Sequence, residues 1–202
     1  MKKPLLFFIL ALLFFLISLI VQVKPIFQLD ATFVRGLEWQ RTEQLNSFMY
    51  FWTNIGSMKV QLLLTICISI FLGLRRQWLN VLMLFMNFFG VRMLNELLKV
   101  VFARERPDFH PLDHLESYSF PSGHAMNSTA VYGLLAYFLI CSTNNKFFQR
   151  LVAVLVICLC LLIGLSRIYL GVHFPSDVLA GFLAGLLWLF AMIAFFAMIR
   201  QN

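Results

Sequence analysis

Six long apolar runs constrain what this chain can fold into more than any other feature. The hydrocarbon core of a bilayer is about 30 Å thick, and an α-helix of about 20 apolar residues crosses it. The six runs are Leu5–Val23, Met58–Leu74, Trp78–Val101, Ala125–Cys141, Leu151–Leu170 and Val178–Ile199. Charged residues make up only 12% of the chain, against about a quarter in a soluble domain. The pattern predicts an all-α fold, a six-transmembrane helix bundle, in one membrane domain over residues 1–202.

The basic residues between the apolar runs predict how the helices are oriented. Loops on the cytoplasmic side of a membrane carry an excess of Lys and Arg. If six helices alternate in direction, acidic residues gather on one side and a purely basic set gathers on the other. This basic set is Lys2, Lys3, Arg75, Arg76, Lys146, Arg150 and Arg200. We therefore expect a multi-pass protein of the cell membrane with both termini in the cytoplasm.

Residues 24–57, which would form the first outer loop, mix apolar with polar side chains. The apolar ones are Leu29, Phe33, Leu37, Met49, Phe51 and Trp52. Such a mixture is typical of a helix that lies in the membrane interface, and a solvated loop is the alternative. No small-residue cleavage site follows the first apolar run, so we expect an uncleaved helix there instead of a signal peptide.

Net charge and cysteine usage argue against several classes of protein. The formal net charge is +7, but Lys and Arg lie at the ends of apolar runs instead of along one soluble face. A nucleic-acid partner is therefore not indicated. The four cysteines lie in or beside apolar runs and form no CxxC motif, which indicates neither a disulfide framework nor a zinc site. No sequence feature indicates an obligatory protein partner.

Three polar clusters lie at the outer ends of the predicted helices, and the last of them contains a histidine and an aspartate. His173 and Asp177 are four residues apart, a spacing that brings two side chains to one face of a helix. A carboxylate that binds one imidazole nitrogen fixes the tautomer and leaves the other nitrogen free to attack. Pro175 suits a first helical turn, so we expect the pair to meet across a helix start. A purely structural hydrogen bond is the alternative.

The middle cluster is the tetrapeptide Pro121-Ser122-Gly123-His124. The proline suits a first helical turn, and the free N–H groups of a helix start bind anions. Glycine lets the backbone approach a ligand closely, and the histidine can give a proton to a leaving oxygen. The alternative is an ordinary helix start with a histidine at the membrane interface.

Three cations complete the set, and they are Lys99, Arg106 and Arg167. The first two could simply extend toward lipid headgroups, but Arg167 lies within an apolar helix, where an ionisable residue is a functional candidate. Phosphoryl transfer requires positive charge for the phosphate oxygens, an in-line nucleophile and an acid for the leaving group. The carboxylates of the outer loop are too loosely spaced to suggest a metal site, so we expect a site without metal or cofactor.

Taken in chain order, the clusters form one extended pattern. It reads Lys99-x6-Arg106-Pro107, then Pro121-Ser122-Gly123-His124, then Ser166-Arg167-x5-His173-x3-Asp177. This pattern resembles the signature of the type 2 phosphatidic acid phosphatase family, which vanadium-dependent haloperoxidases and acid phosphatases share. Every signature position is matched, and three linked motifs are far more specific than one. The resemblance implies a membrane lipid phosphatase. Because the three clusters lie at the helix ends opposite the basic loops, we expect its active site to face the outer leaflet.

The resemblance also implies a role for each matched residue. The catalytic residues would be the nucleophile His173, its orienting partner Asp177 and the general acid His124. The phosphate would be bound by Lys99, Arg106, Ser122, Gly123 and Arg167.

On these grounds we expect hydrolysis of a lipid phosphate through a phosphohistidine intermediate, without a metal ion and with release of inorganic phosphate. The candidate substrates are phosphatidylglycerol phosphate, undecaprenyl pyrophosphate and phosphatidic acid, and the resemblance slightly favours a glycerophospholipid monoester. Two alternatives stay open. One is a catalytically inactive lipid transporter or binder, and the other is a vanadate-dependent haloperoxidase.

A second polar group lies deeper on the third predicted helix and outside the signature. It consists of Arg92, Asn95 and Glu96. The i,i+4 and i,i+3 spacings predict that Glu96 pairs with both Arg92 and Lys99. We therefore expect a buried ionic network that neutralises itself and steadies Lys99, with contact to the substrate as the alternative.

Overall fold

The structure is a computed structural model that describes residues 2–113 and 115–201. Those residues form helices and loops with no β-strand, which confirms the all-α prediction. The eight helices are α1 Lys2–Ile20, α2 Lys24–Glu38, α3 Glu43–Ile55, α4 Met58–Leu74, α5 Trp78–Phe102, α6 Gly123–Cys141, α7 Lys146–Tyr169 and α8 Pro175–Gln201. Each of the six apolar runs falls on one of these helices.

Capping and turn residues set several of the helix ends. The side chains of Ser57 and Asn145 accept hydrogen bonds from first-turn N–H groups of α4 and α7, which would otherwise lack a partner. The C-cap of α5 is Ala103, whose φ of 43° lies in the left-handed region. Pro175 begins α8, as the sequence predicts.

Length and composition support between three and five membrane spans among the described residues. Three helices, α5, α7 and α8, are each long and apolar enough to cross a bilayer. Two further spans arise if the bent pairs α1–α2 and α3–α4 each count as one, with bends of 91° and 44°. The fourth apolar run, on α6, falls short because the first half of that helix is polar. Much of α6 is buried between α5, α7 and α8, so it presents less surface to lipid.

Residues 24–57 form two helices, α2 and α3, instead of a loop. Helix α2 turns away from α1 by 91° and is amphipathic, with Asp30, Ala31 and Val34 buried against the bundle. Its opposite face exposes Leu29 and Phe33. The helical part of the prediction for this segment is therefore confirmed.

Two glycines bring α8 unusually close to the start of α6. A Cβ atom on Gly181 would lie 2.7 Å from the carbonyl oxygen of Ser122, and one on Gly185 would lie 2.6 Å from that of Met126. Small residues allow helix backbones to approach closely within a membrane. At the outer end of this contact the Ser122 N–H donates to the Asp177 carbonyl at 3.0 Å. The starts of α6 and α8, which carry two of the three motifs, are thus held together.

Candidate active site

His173 lies in the short turn between α7 and α8, and only 2% of it is exposed. The turn passes through Gly171, whose φ of 74° favours glycine. The two ring nitrogens of His173 face different partners. Nε2 is 3.2 Å from Arg106 Nη1, and Nδ1 is 3.3 Å from the hydroxyl oxygen of Ser119.

Asp177 reaches His173 through Ser119. One carboxylate oxygen of Asp177, Oδ2, accepts hydrogen bonds from Ser119 Oγ at 2.5 Å and from the Phe174 N–H at 2.9 Å. The same oxygen is 3.6 Å from His173 Nδ1, which is too long for a hydrogen bond. The histidine and the aspartate therefore meet across the start of α8, as expected, but a serine hydroxyl bridges them.

This arrangement assigns the tautomer of His173. The Ser119 hydroxyl has one hydrogen, which it donates to the Asp177 carboxylate, so its oxygen accepts from His173 Nδ1–H. Nε2 then carries the lone pair, to which Arg106 donates. Burial lowers the pKa of His173 to about 3, against an opposing effect of Asp177, so the imidazole is neutral near pH 7. A neutral ring whose Nε2 carries a lone pair instead of a proton can act as a nucleophile.

Arg106 and Lys99 are anchored by the loop that follows α5. The guanidinium of Arg106 donates to the carbonyl oxygens of Ser117, Tyr118 and Val172 at 2.6 to 3.1 Å. Ser117 Oγ accepts from both Arg106 Nη2 and Lys99 Nζ, at 3.0 and 3.1 Å. One serine therefore joins the two cations of the first motif on the Nε2 side of His173.

Arg167 and His124 lie on the wall of an open cavity of about 610 Å³. Arg167 is buried near the end of α7, where it donates to Thr53 Oγ1 at 2.6 Å and lies 3.8 Å from the Asp113 carboxylate. Helix α3 supplies most of the remaining cavity wall. One cavity wall therefore carries both an arginine and a histidine.

Ser122 and Gly123 stand at the start of α6. The Ser122 hydroxyl is buried and has no hydrogen-bond partner among the described residues. A Cβ atom on Gly123 would lie 2.8 Å from Asn95 Oδ1, so the glycine also allows α5 to pack against this helix start. The backbone N–H of Ser122 is already used by Asp177. Its hydroxyl is therefore the group of this residue that is free to bind an anion.

Comparisons with known proteins identify the family of this chain. Residues 60–201 match the family model described as the PAP2 superfamily. The chain belongs to the PAP2 superfamily. It is 36% identical over 208 residues to phosphatidylglycerophosphatase B of Bacillus subtilis, covering 100% of this chain and 98% of that protein. It is 31% identical over 189 residues to undecaprenyl-diphosphatase of Sulfolobus acidocaldarius, covering 89% of this chain and 85% of that protein.

Two solved structures of PAP2-type or related proteins share the fold. The transmembrane PAP2-type phosphatidylglycerolphosphate phosphatase from Bacillus subtilis superposes with a TM-score of 0.87 at 36% identity, covering 98% of each chain. LpxE of Aquifex aeolicus superposes with a TM-score of 0.64 at 27% identity, covering 80% of this chain and 92% of that one. With its apolar helices, this PAP2 chain is a multi-pass membrane enzyme, a phosphatase that acts on a lipid phosphate.

The predicted network around Arg92 forms only in part in this PAP2 structure: among the described residues the Glu96–Lys99 pair is present, but Arg92 does not pair with Glu96. The Glu96 side chain is 69% exposed, and it pairs only with Lys99, at 3.7 Å, among the described residues. Arg92 instead donates to Gln61 Oε1 on α4 at 3.0 Å, and its guanidinium lies 3.9 Å from the ring centre of Phe88. Spacing along α5 shows which side chains can meet, but α4 offers Arg92 a buried partner that the spacing does not reveal.

Several residues that support the site lie outside the predicted set. They are Asp30, Thr53, Arg104, Ser117 and Ser119. Ser119 is two residues before the second motif, and Arg104 is two residues before Arg106, so proximity to a motif is a signal for both. Asp30 is the one of the two acidic residues of α2 that is buried, and its position on the buried face of an amphipathic helix is a signal as well.

Proposed function

We propose that this lipid phosphatase hydrolyses the terminal phosphomonoester of phosphatidylglycerol phosphate. The observation that carries the proposal is the similarity over the full chain to phosphatidylglycerophosphatase B of Bacillus subtilis, in sequence and in fold. Undecaprenyl pyrophosphate and phosphatidic acid are the alternative substrates. The similarity to undecaprenyl-diphosphatase covers less of the chain at a lower identity, so it supports the pyrophosphate less.

In the proposed mechanism, His173 Nε2 attacks the phosphorus in line with the ester oxygen. The new N–P bond forms as the P–O bond of the ester breaks, and the electron pair of that bond goes to the leaving alkoxide. His124 donates a proton to this oxygen, which leaves as an alcohol. The Nδ1–H of the phosphohistidine remains bound to Ser119, and through it to Asp177, which stabilises the positive charge on the ring.

The second step regenerates the enzyme. Water attacks the phosphohistidine, His124 takes a proton from that water, and inorganic phosphate leaves with the N–P bond electrons returned to Nε2. Lys99, Arg106 and Arg167 would neutralise the charge on the phosphate oxygens in both steps. The unpartnered Ser122 hydroxyl and the Gly123 N–H would donate to the same oxygens. None of these roles requires a metal ion.

We also propose six membrane spans, with the active site on the outer side and both termini in the cytoplasm. The three motifs lie at one end of the helices, and the purely basic loops lie at the other, which supports this orientation. The substrate would then enter from the outer leaflet. Helix α2 would lie in the outer interface with Leu29 and Phe33 toward lipid.

The experiment that tests the function is phosphate release by the purified protein in detergent. The substrates are phosphatidylglycerol phosphate, phosphatidic acid and undecaprenyl pyrophosphate. We expect the first to give the highest kcat/KM, and His173→Ala to abolish turnover without changing the elution volume on size exclusion. His110→Ala is the control, because the side chain of His110 is 89% exposed and pairs with Glu38. Activity in His173→Ala would contradict the nucleophile assignment, and inactivity of the wild type on every lipid would favour a lipid binder.

A further inference from the structure

Arg104 joins two buried carboxylates, and one of them is the partner of the nucleophile. Its Nη1 donates to Asp177 Oδ1 at 2.5 Å, and its Nη2 donates to Asp30 Oδ2 on α2 at 2.8 Å. All three side chains are at most 7% exposed. Ser176 completes the group, since its hydroxyl bonds both Arg104 and Asp30. None of Asp30, Arg104 and Ser176 belongs to the three motifs.

The bonds to Asp177 leave its carboxylate no freedom to rotate. Oδ1 is held by Arg104, while Oδ2 is held by Ser119 and the Phe174 N–H. The Oδ2 atom must face Ser119 for the hydroxyl to bridge to His173 Nδ1. Arg104 gives Nη1 to Asp177 and Nη2 to Asp30, so its rigid planar guanidinium fixes the position of Oδ1 relative to Asp30. Arg104 thereby fixes the orientation in which Asp177, through Ser119, holds the His173 ring.

The balance of buried charges also indicates that Arg104 supports Asp177. Asp30, Arg104 and Asp177 carry two negative charges and one positive charge in a region shielded from water. Without Arg104, two buried carboxylates would be left uncompensated, which is strongly unfavourable. With it, a single excess negative charge remains beside His173 Nδ1. That charge is placed where the imidazole becomes positive when Nε2 is phosphorylated.

We propose that Arg104 is a positioning residue, which orients Asp177 through a fork anchored on Asp30 and so keeps the His173 Nε2 lone pair directed at the phosphate. The proposal rests on the proposed nucleophilic role of His173. Arg104 does not line the open cavity with Arg167 and His124, and its bonds lead away from Arg106 and Lys99. It therefore acts on the chemical step and not on phosphate binding.

The first test is steady-state kinetics of Arg104→Gln on phosphatidylglycerol phosphate. We expect kcat to fall about 100-fold, in the range of lost orienting partners, with KM changed by less than roughly threefold. Arg41→Gln is the matched control, because Arg41 is also an arginine held by several hydrogen bonds, to the carbonyl oxygens of His110 and Tyr169, and it does not donate to Asp177. It should lower Tm and leave kcat within roughly twofold of wild type. A loss confined to KM would place Arg104 in phosphate binding and overturn the proposal.

The double variant Asp30→Asn/Arg104→Gln separates positioning from folding stability. It removes one buried charge of each sign, so its Tm should recover part of what Arg104→Gln loses. Its kcat should stay as low as that of Arg104→Gln. Recovery of kcat together with Tm would show a merely structural role.

Arg104→Lys, which keeps the charge, should fold and lose kcat at constant KM, because one ammonium does not replace the fork. Full kcat in Arg104→Lys would also overturn the proposal.

A spectroscopic readout makes the test independent of any lipid substrate. The ¹⁵N shifts of the His173 ring, assigned by comparison with His173→Asn, report which nitrogen carries the proton. We expect a single Nδ1–H tautomer in the wild type and in Arg41→Gln, and a mixture of both tautomers in Arg104→Gln. An unchanged single tautomer in Arg104→Gln would refute the positioning role. If the wild type releases no phosphate from any lipid, the proposed function fails, and the spectrum still decides the role of Arg104.

Discussion

Replacement of Ser119 by alanine isolates the bridge between His173 and Asp177. The substitution removes a hydroxyl that is 3.3 Å from Nδ1 and 2.5 Å from Asp177 Oδ2. The remaining gap between those two atoms is 3.6 Å, and Ser119 and Asp177 are both fully buried. The ring would then lose the contact that fixes its tautomer and that stabilises its positive charge after attack.

The size of the effect follows from the kind of hydrogen bond that is lost. A hydrogen bond to a charged group contributes about 1.5–3 kcal/mol. Since about 1.4 kcal/mol corresponds to tenfold in rate, kcat should fall between about 10-fold and about 150-fold. KM should change little, because Ser119 lies on the Nδ1 side of the ring and the phosphate binds on the Nε2 side.

The assay is kcat and KM for lipid phosphate release by wild type, Ser119→Ala and Ser117→Ala. Ser117 is the matched control, because its hydroxyl bonds Lys99 and Arg106 instead of Asp177. Ser117→Ala should raise KM more than it lowers kcat. Wild-type kcat in Ser119→Ala would refute the bridge and indicate that Asp177 binds Nδ1 directly after a small shift. Equal effects of the two substitutions on kcat and on KM would refute the division between the two sides of the ring.

Three further predictions concern the general acid His124, inhibition by the phosphate analogue vanadate, and the orientation of the protein in the membrane. His124→Ala should lower kcat on a lipid monoester by about 10²–10⁴-fold and spare an aryl phosphate, whose leaving group needs no proton; equal losses on both substrates would assign His124 to binding. Vanadate should inhibit, because it accepts a fifth ligand and resembles the transition state, and EDTA should leave turnover unchanged; a strict Mg²⁺ requirement would contradict this. In a cysteine-free background, an impermeant thiol reagent on intact cells should label a cysteine at Glu116 and not one at Ser142, and the reverse pattern would invert the topology.

The sequence predicts the apolar helices and singles out the motif residues as candidates, because each depends on a local property. An apolar run has to be long enough for the bilayer, and a phosphate needs cations and a nucleophile of definite type. Side-chain partners are harder to predict, since they depend on which helices become neighbours. Ser119, Arg104 and Asp30 become connected only when α2, the outer loop and α8 pack together. Arg92 shows the same limit, because Gln61 on α4 replaces the expected partner on α5.

The Nε2 lone pair of His173 accepts a hydrogen bond from Arg106. The same guanidinium is fixed to three backbone carbonyls, so it does not swing away by itself. An electrophile can therefore reach Nε2 only if it gives Arg106 another hydrogen-bond acceptor in place of that nitrogen. A phosphoryl oxygen is such an acceptor, and an uncharged reagent does not replace it. Neutral histidine-modifying compounds should for this reason acylate the exposed ring of His110 long before they react with the buried ring of His173.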